Sequence, residues 1–393
     1  MKRTIYYFIL VLFFSSMGIQ GCSENAVIST PDPEEDGEEL LTEAIHGVCR
    51  MNLQNESYEK VVAIANNIVQ SNTPVVRING VKEGGSIDQV IHNINIFSQK
   101  GGKVVLMQPM WMEMFPDDYE QIPGPSFLVY RMSDIVPDRF RIFMDRLLER
   151  IVLHTPEGSL IGLELFNEAN QAGYNGDLQL TPEGKGDIFN LDTPLDTPSF
   201  QDVYAGINKY GKCLEITRDL LNIHFQKKNI KLVTHGIVSS GGWINFQWHI
   251  NRGVSLVLPD MFLTILQGSQ EQQQDKTNYL RCADVIGLHC YPPLADNMSD
   301  ILHEYYFDPI NAVLEDPMPY WITEWGFAKP QFEDNGGEMR RLQYFQSFIQ
   351  AIGIIGNTEM TLLFDFDLNK DHRIWENGVL LESGTIFQEI NNK

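Results

Sequence analysis

Short apolar runs recur along most of this chain, each followed by a stretch patterned at helical spacing. Eight runs stand out, at residues 46–51, 74–78, 103–107, 161–168, 231–235, 284–289, 319–326 and 360–364. Runs this short and this rich in Val, Ile, Leu and Phe suit strands buried on both faces, the condition of parallel strands covered by helices. The helices between them are legible too. Val61, Ile64, Ala65 and Ile68 share one face behind a capping Ser57, and Val90, Ile91 and Ile94 do so behind Ser86. Phe140, Phe143, Met144, Leu147, Leu148 and Ile151 form the clearest apolar stripe. Alternating strands and helices require a parallel sheet, and eight repeats predict one α/β domain, a single (β/α)8 TIM barrel. Polar, Gly- and Pro-bearing stretches at 171–198 and around Trp243 and Trp248 predict extended loops after strands 4 and 5.

Two of the runs end on a glutamate: Ile161-Gly162-Leu163-Glu164-Leu165-Phe166-Asn167-Glu168 and Pro319-Tyr320-Trp321-Ile322-Thr323-Glu324-Trp325-Gly326. A carboxylate at the C-terminal tip of a buried strand lies where barrel enzymes keep their chemistry. A lone strand-end glutamate is usually a solvated charge. Two of them on different apolar strands are the equipment of glycoside hydrolysis, one as acid/base and one as nucleophile. Arg77 stands inside the apolar run 74–78, and a cation there needs an acidic partner. Glu164, deeper in its run, reads as a structural carboxylate bonded inside the barrel.

Glu164-Leu165-Phe166-Asn167-Glu168 resembles the strand-four motif of clan A glycoside hydrolases, whose usual ending is Asn-Glu-Pro. Trp321-Ile322-Thr323-Glu324-Trp325-Gly326 resembles their strand-seven nucleophile motif. His289-Cys290-Tyr291 and Val75-Val76-Arg77 match two further positions of the clan. The pattern is similar to the cellulase-like family 5 and its relatives, over roughly residues 45–390. The resemblance implies a retaining β-glycosidase acting on a β-linked polysaccharide or oligosaccharide, with endo-action preferred over exo-action. Glu168 would be the acid/base, holding a proton near neutral pH, and Glu324 the ionised nucleophile. Arg77 and Tyr291 would support Glu324, Asn167 would hold the sugar 2-hydroxyl, and His289 would orient one of these groups or contact the sugar. A surface glycan-binding barrel that has lost catalysis is the alternative.

Two departures from the family stand out. Ala169 follows Glu168 where the family usually has Pro. Strand eight ends Phe364-Asp365-Phe366-Asp367, where many relatives place a tryptophan under the sugar, which leaves Trp375 or Phe366 to replace it. Sugar C–H faces stack on aromatic rings, so Trp111, Trp243, Trp325 and Trp375 are candidate substrate contacts, whereas Trp321 lies deeper and reads as core. Cys49, Cys213, Cys282 and Cys290 show neither CxxC nor zinc spacing and read as free thiols, with a Cys282–Cys290 pairing left open. His46, His235 and His289 fall on three different strands, so neither a metal nor a cofactor is expected.

At the amino end, Lys2 and Arg3 precede an apolar stretch from Ile5 to Met17, followed by Gly18-Ile19-Gln20-Gly21-Cys22. This resembles a bacterial lipoprotein signal. Residues 1–21 are expected to be a signal peptide, Cys22 the lipidated residue, 22–40 an acidic flexible tether and 41–393 the catalytic domain. The implied location is the outer membrane, at the cell surface or the periplasmic face. A formal net charge of −23 argues against nucleic acid as a partner and leaves a carbohydrate substrate and a lipid anchor.

Overall fold

A computed structural model describes residues 43–178, 186–226, 230–239 and 255–391. Cys22, the expected signal and tether, Trp243 and Trp248 lie outside the described residues. Nine parallel strands form one curled sheet: β1 (Ile45–Cys49), β2 (Val75–Asn79), β3 (Lys103–Gln108), β4 (Leu160–Leu165), β5 (Lys231–Val233), β6 (Ile237–Val238), β7 (Ile286–Cys290), β8 (Tyr320–Trp325) and β9 (Thr358–Leu363). Their spatial order is β5-β4-β3-β2-β1-β9-β8-β7-β6. Each apolar run therefore carries a strand. The strand of run 231–235 is short: β5 ends at Val233, and a further short strand, β6, begins at Ile237 on the opposite edge of the sheet. An isolated parallel bridge joins Val233 to Val285, just before β7.

The helices lie outside the sheet where their apolar stripes demand. Helix α1 (Tyr58–Gln70) starts behind Ser57, whose side chain accepts from the Lys60 N–H at 3.3 Å. Helix α2 (Ile87–Gln99) starts behind Ser86, which accepts from the Gln89 N–H at 3.2 Å. A cap of this kind contributes about 1 kcal/mol. Helix α3 (Pro137–His154) opens on a proline, whose missing N–H costs nothing in the first turn. Helices α4 (Gln201–Phe225) and α5 (Gly337–Ile355) continue the outer layer. Ile64, Phe97 and Phe143 from this layer share one core with the outward-facing Ile78, Leu106 and Leu165.

The inward-facing residues form a second core of Cys49, Val75, Val105, Val233, Val285, Trp321, Met360 and Leu362. Period-two alternation explains the division, since Val76 and Ile78 join the outer core while Val75 and Arg77 point inward. Trp321 fills the interior, as its depth in the strand implied. Gly162 leaves it room, because a Cβ there would lie 2.3 Å from the indole ring. At about 25 cal/mol per Å² over ~200 Å² of ring, its burial contributes on the order of 5 kcal/mol before entropy is counted.

The described part of the stretch 171–198 is less irregular than its composition suggests. Ile188–Phe189 pairs in parallel with Leu256–Val257, which ties the segment after β4 to the one after β6. Cys49, Cys213, Cys282 and Cys290 are all free thiols. Among the described residues, no helix is long and apolar enough to cross a membrane.

Candidate active site

Above the inner core, at the C-terminal ends of the strands, the inward positions turn polar and Arg77 is their hub. It is fully buried. Its Nε donates to Glu164 Oε2 at 2.5 Å and its Nη2 to Glu164 Oε1 at 2.9 Å, a bidentate pair. Nη1 donates to Glu324 Oε1 at 2.6 Å, and Nη2 also reaches Asn167 Oδ1 at 2.9 Å. The Tyr291 hydroxyl donates to the other Glu324 oxygen at 2.7 Å. His289 Nδ1 lies 2.7 Å from Glu168 Oε1 and 3.7 Å from Glu324 Oε2. One oxygen of Glu168, one of Glu324 and a nitrogen of His289 fall within 4.8 Å of one another. The six residues singled out for chemistry and support thus converge on one spot. Glu164 holds the structural position read for it and also accepts from the Thr323 hydroxyl at 3.2 Å.

Backbone irregularities at two strand tips aim the carboxylates. Along β7 and β8, Leu288 faces Ile322 but His289 faces Glu324, so Thr323 is an extra residue in the ladder. That bulge turns both Thr323 and Glu324 inward, where strict alternation would send Glu324 out toward the helices. At the end of β4, Phe166 and Glu168 adopt left-handed backbone, with φ of 70° and 42°. Each such residue costs roughly 1–2 kcal/mol. Phe166 keeps its ring outside, against Phe140 and Tyr210, while Asn167 and Glu168 reach the mouth. Asn175 holds the turn by donating to the Ala169 carbonyl at 3.0 Å, at the position where the family usually has proline.

The charges sort themselves by their surroundings. Burial alone would raise the Glu324 carboxyl, but the charges of His289 and Arg77, with hydrogen bonds from Tyr291 and Arg77, hold it below the usual carboxylate range. Burial opposes charge on His289, yet Glu324 and Glu168 hold its pKa above the ordinary histidine value. The outcome is a Glu324 carboxyl held toward its ionised form and a His289 ring that holds its proton more readily than usual. The same three side chains are close enough to grip a metal ion. Both Glu324 oxygens are already engaged, however, and a guanidinium 2.6 Å from one of them repels a second cation.

The aromatic candidates fare differently. Trp325 needs correction as a substrate contact: it is 0% exposed, with its ring stacked on Phe348 of α5 at 4.4 Å, so it has no face to offer a sugar. Phe366 is equally buried and stacks on Trp375 at 5.5 Å. The ring that meets the site from the end of β9 is Phe364, edge-on to Tyr291 at 6.3 Å. Trp111 is half-buried, and its Nε1 donates to Glu113 at 3.3 Å. Two residues escaped the sequence reading. The Gln171 amide donates to Glu168 Oε2. The Tyr174 hydroxyl bonds Asn167, and burial, followed by Glu168 and Glu324, pushes its pKa well up. Both sit in the irregular stretch after β4, where no periodicity marks them.

No protein-family model matches this chain, and no curated protein matches it. Solved structures do. A β-glycosidase, BGL167, aligns over 90% of this chain and 97% of its own, with a TM-score of 0.52 at 11% identity. A GH5_18 variant from Bifidobacterium longum subsp. longum, in complex with Manβ1-4GlcNAc, aligns over 88% and 78%, with a TM-score of 0.53 at 12% identity. Fungal β-1,4-galactanase aligns over 83% and 91%, with a TM-score of 0.50 at 10% identity. At such low identity the likeness is one of architecture: this chain has the α/β fold of solved glycoside hydrolases.

Proposed function

We propose that this protein is a retaining β-glycosidase that cleaves a β-linked polysaccharide or oligosaccharide, on a sheet closed into an eight-stranded barrel. The observation that carries the reading is that one oxygen of Glu168 and one of Glu324 lie within 4.8 Å of each other. Retaining enzymes hold their two carboxyls about 5–5.5 Å apart, and inverting ones about 6.5–9.5 Å apart to admit a water. Closure is supported by the Val233–Val285 bridge, which joins edge strand β5 to the residue just before β7.

In the first step Glu168 gives its proton to the departing glycosidic oxygen while a Glu324 oxygen bonds the anomeric carbon. In the second, Glu168 as carboxylate takes a proton from water, the water oxygen bonds the same carbon, and Glu324 leaves. Arg77 and Tyr291 keep Glu324 ionised for attack and accept it back as a leaving carboxylate. His289 steadies Glu168 through both proton transfers. Asn167, held by Arg77, meets the sugar 2-hydroxyl. Anchorage through Cys22 and an acidic tether suits endo-action on polymers outside the cytoplasm.

The test is hydrolysis of β-glucans, mannans, xylans, galactans and aryl glycosides by the mature protein, with Glu324→Gln as control and the first anomer released read by NMR. Cleavage of one substrate with retained configuration, lost in the control and unaffected by chelator, is the expected result. An inverted product overturns the double displacement. Glycan binding without cleavage in both proteins favours the retired barrel.

A further inference from the structure

We infer that Lys82 is the anion-binding residue of a subsite on the same rim of the sheet as the two carboxylates, built to take a sugar unit bearing a carboxylate or sulfate group. The inference rests on the glycosidase reading and names its substrate class. Lys82 lies in the loop that leaves β2, at the same end of the sheet as Arg77. That loop is held rigidly. Gln108, at the tip of β3, accepts from the Val81 N–H and donates to the Val81 carbonyl, each at 3.0 Å, as a neighbouring strand would. Gly80 packs so closely on the same side chain that a Cβ there would lie 2.2 Å from Gln108 Oε1.

The ammonium is fixed from a second direction. It donates to Asn52 Oδ1, and Asn52 stands in left-handed backbone, φ 63°, with its own N–H bonded to Asn79 Oδ1 at 2.7 Å. A non-glycine residue held in left-handed backbone, with its side chain accepting from a lysine, is the kind of arrangement found at ligand clamps. The group is also partly withdrawn from water, which lowers its pKa, with Glu83 acting in opposition. Among the described residues no carboxylate comes within ion-pair distance of Lys82. By contrast Arg50, Arg77 and Arg341, the buried arginines, each have an acidic partner. Asn52 directly follows Met51, whose Sδ lies 3.9 Å from Arg77 Nη1, the atom that holds Glu324. A held cation with no carboxylate at ion-pair distance, in a loop at the same end of the sheet as Arg77 and Glu324, fits an acidic substituent of the glycan. On a chain with a net charge of −23, such a local cation is also needed to overcome general repulsion of an acidic polymer.

The experiment compares acidic with neutral β-glycans in wild type, Lys82→Met and Lys82→Arg, by calorimetric binding and by kcat/KM. Polymannuronate and glucuronoxylan supply carboxylates, κ-carrageenan supplies sulfate, and unsubstituted xylan and mannan are the neutral references. The expected result is salt-sensitive preference for one acidic class, with the acidic-to-neutral ratio falling roughly tenfold to hundredfold in Lys82→Met and largely kept in Lys82→Arg. Carboxylate and sulfate arms identify which anion the subsite takes. Equal loss on acidic and neutral glycans in Lys82→Met, or no acidic preference in wild type, overturns the inference. Binding measured in Glu324→Gln separates the two readings: Lys82-dependent binding there, with no cleavage of any glycan by wild type, sinks the hydrolase and leaves the subsite standing. Cleavage of neutral glycans alone does the reverse.

Discussion

Gly236 stands in the break between β5 and β6, and its backbone bridges Asn167. A Cβ placed there would lie 2.0 Å from His289 Nε2 and 2.2 Å from its Cδ2. Ordinary contact begins at 3.4 Å, so in Gly236→Ala the imidazole must retreat by about 1.4 Å. The backbone cannot easily yield instead, because Asn167 is held by Arg77 at 2.9 Å. A shift of that size is incompatible with the 2.7 Å contact between His289 and Glu168, since useful hydrogen bonds end near about 3.2 Å. Misplacing a catalytic constellation by about 1 Å costs on the order of a hundredfold, so kcat/KM should fall by about that factor. Stability should suffer less, by about 1–3 kcal/mol of overpacking, read from urea midpoints. The cause can be isolated by adding His289→Ala: the double variant should be no slower than His289→Ala alone, because the clash has nothing left to displace. Activity of Gly236→Ala within about threefold of wild type would refute the argument, and with it the claim that His289 must sit where it does.

Other outcomes follow from the same geometry. Tyr291→Phe removes one of the donors that favour ionised Glu324, so the acidic limb of the kcat/KM profile should move to higher pH; a limb that stays put or moves down contradicts the assignment of Glu324 as the ionised nucleophile. Asp365 is buried, which raises its pKa to about 7 from 3.8, although it accepts from the Asn369 and Leu368 N–H groups at 2.8 and 3.1 Å. The folded protein then keeps a proton that the unfolded chain has released. This contribution to stability is full below the unfolded value and is lost as pH rises through about 7. Between pH 5 and 8 the urea midpoint of wild type should therefore fall more than that of Asp365→Asn, and parallel changes in the two would count against it.

The strands and the two carboxylates were legible in the sequence for simple reasons. A strand covered on both faces has to be apolar, so eight runs could be marked and each carries a strand. A charge ending or standing inside such a run stands out against it, which singled out Glu168 and Glu324 at run ends and Arg77 within one. What the linear pattern could not carry is the direction of side chains past an irregularity. Counting by twos from the inward Trp321 sends Trp325 inward as well; the extra residue Thr323 reverses the count, so Glu324 enters the site and Trp325 joins the helical layer. The same holds for the break after Val233, which leaves β5 and β6 on opposite edges of the sheet and brings Gly236 against His289. Gln171, Tyr174 and Lys82 sit in loops, where position depends on which distant side chain holds the backbone rather than on any repeat. Composition and period determined the layers and the presence of an acid pair. Only the folded chain, through one bulge, two left-handed residues and a broken strand, decided which groups face each other.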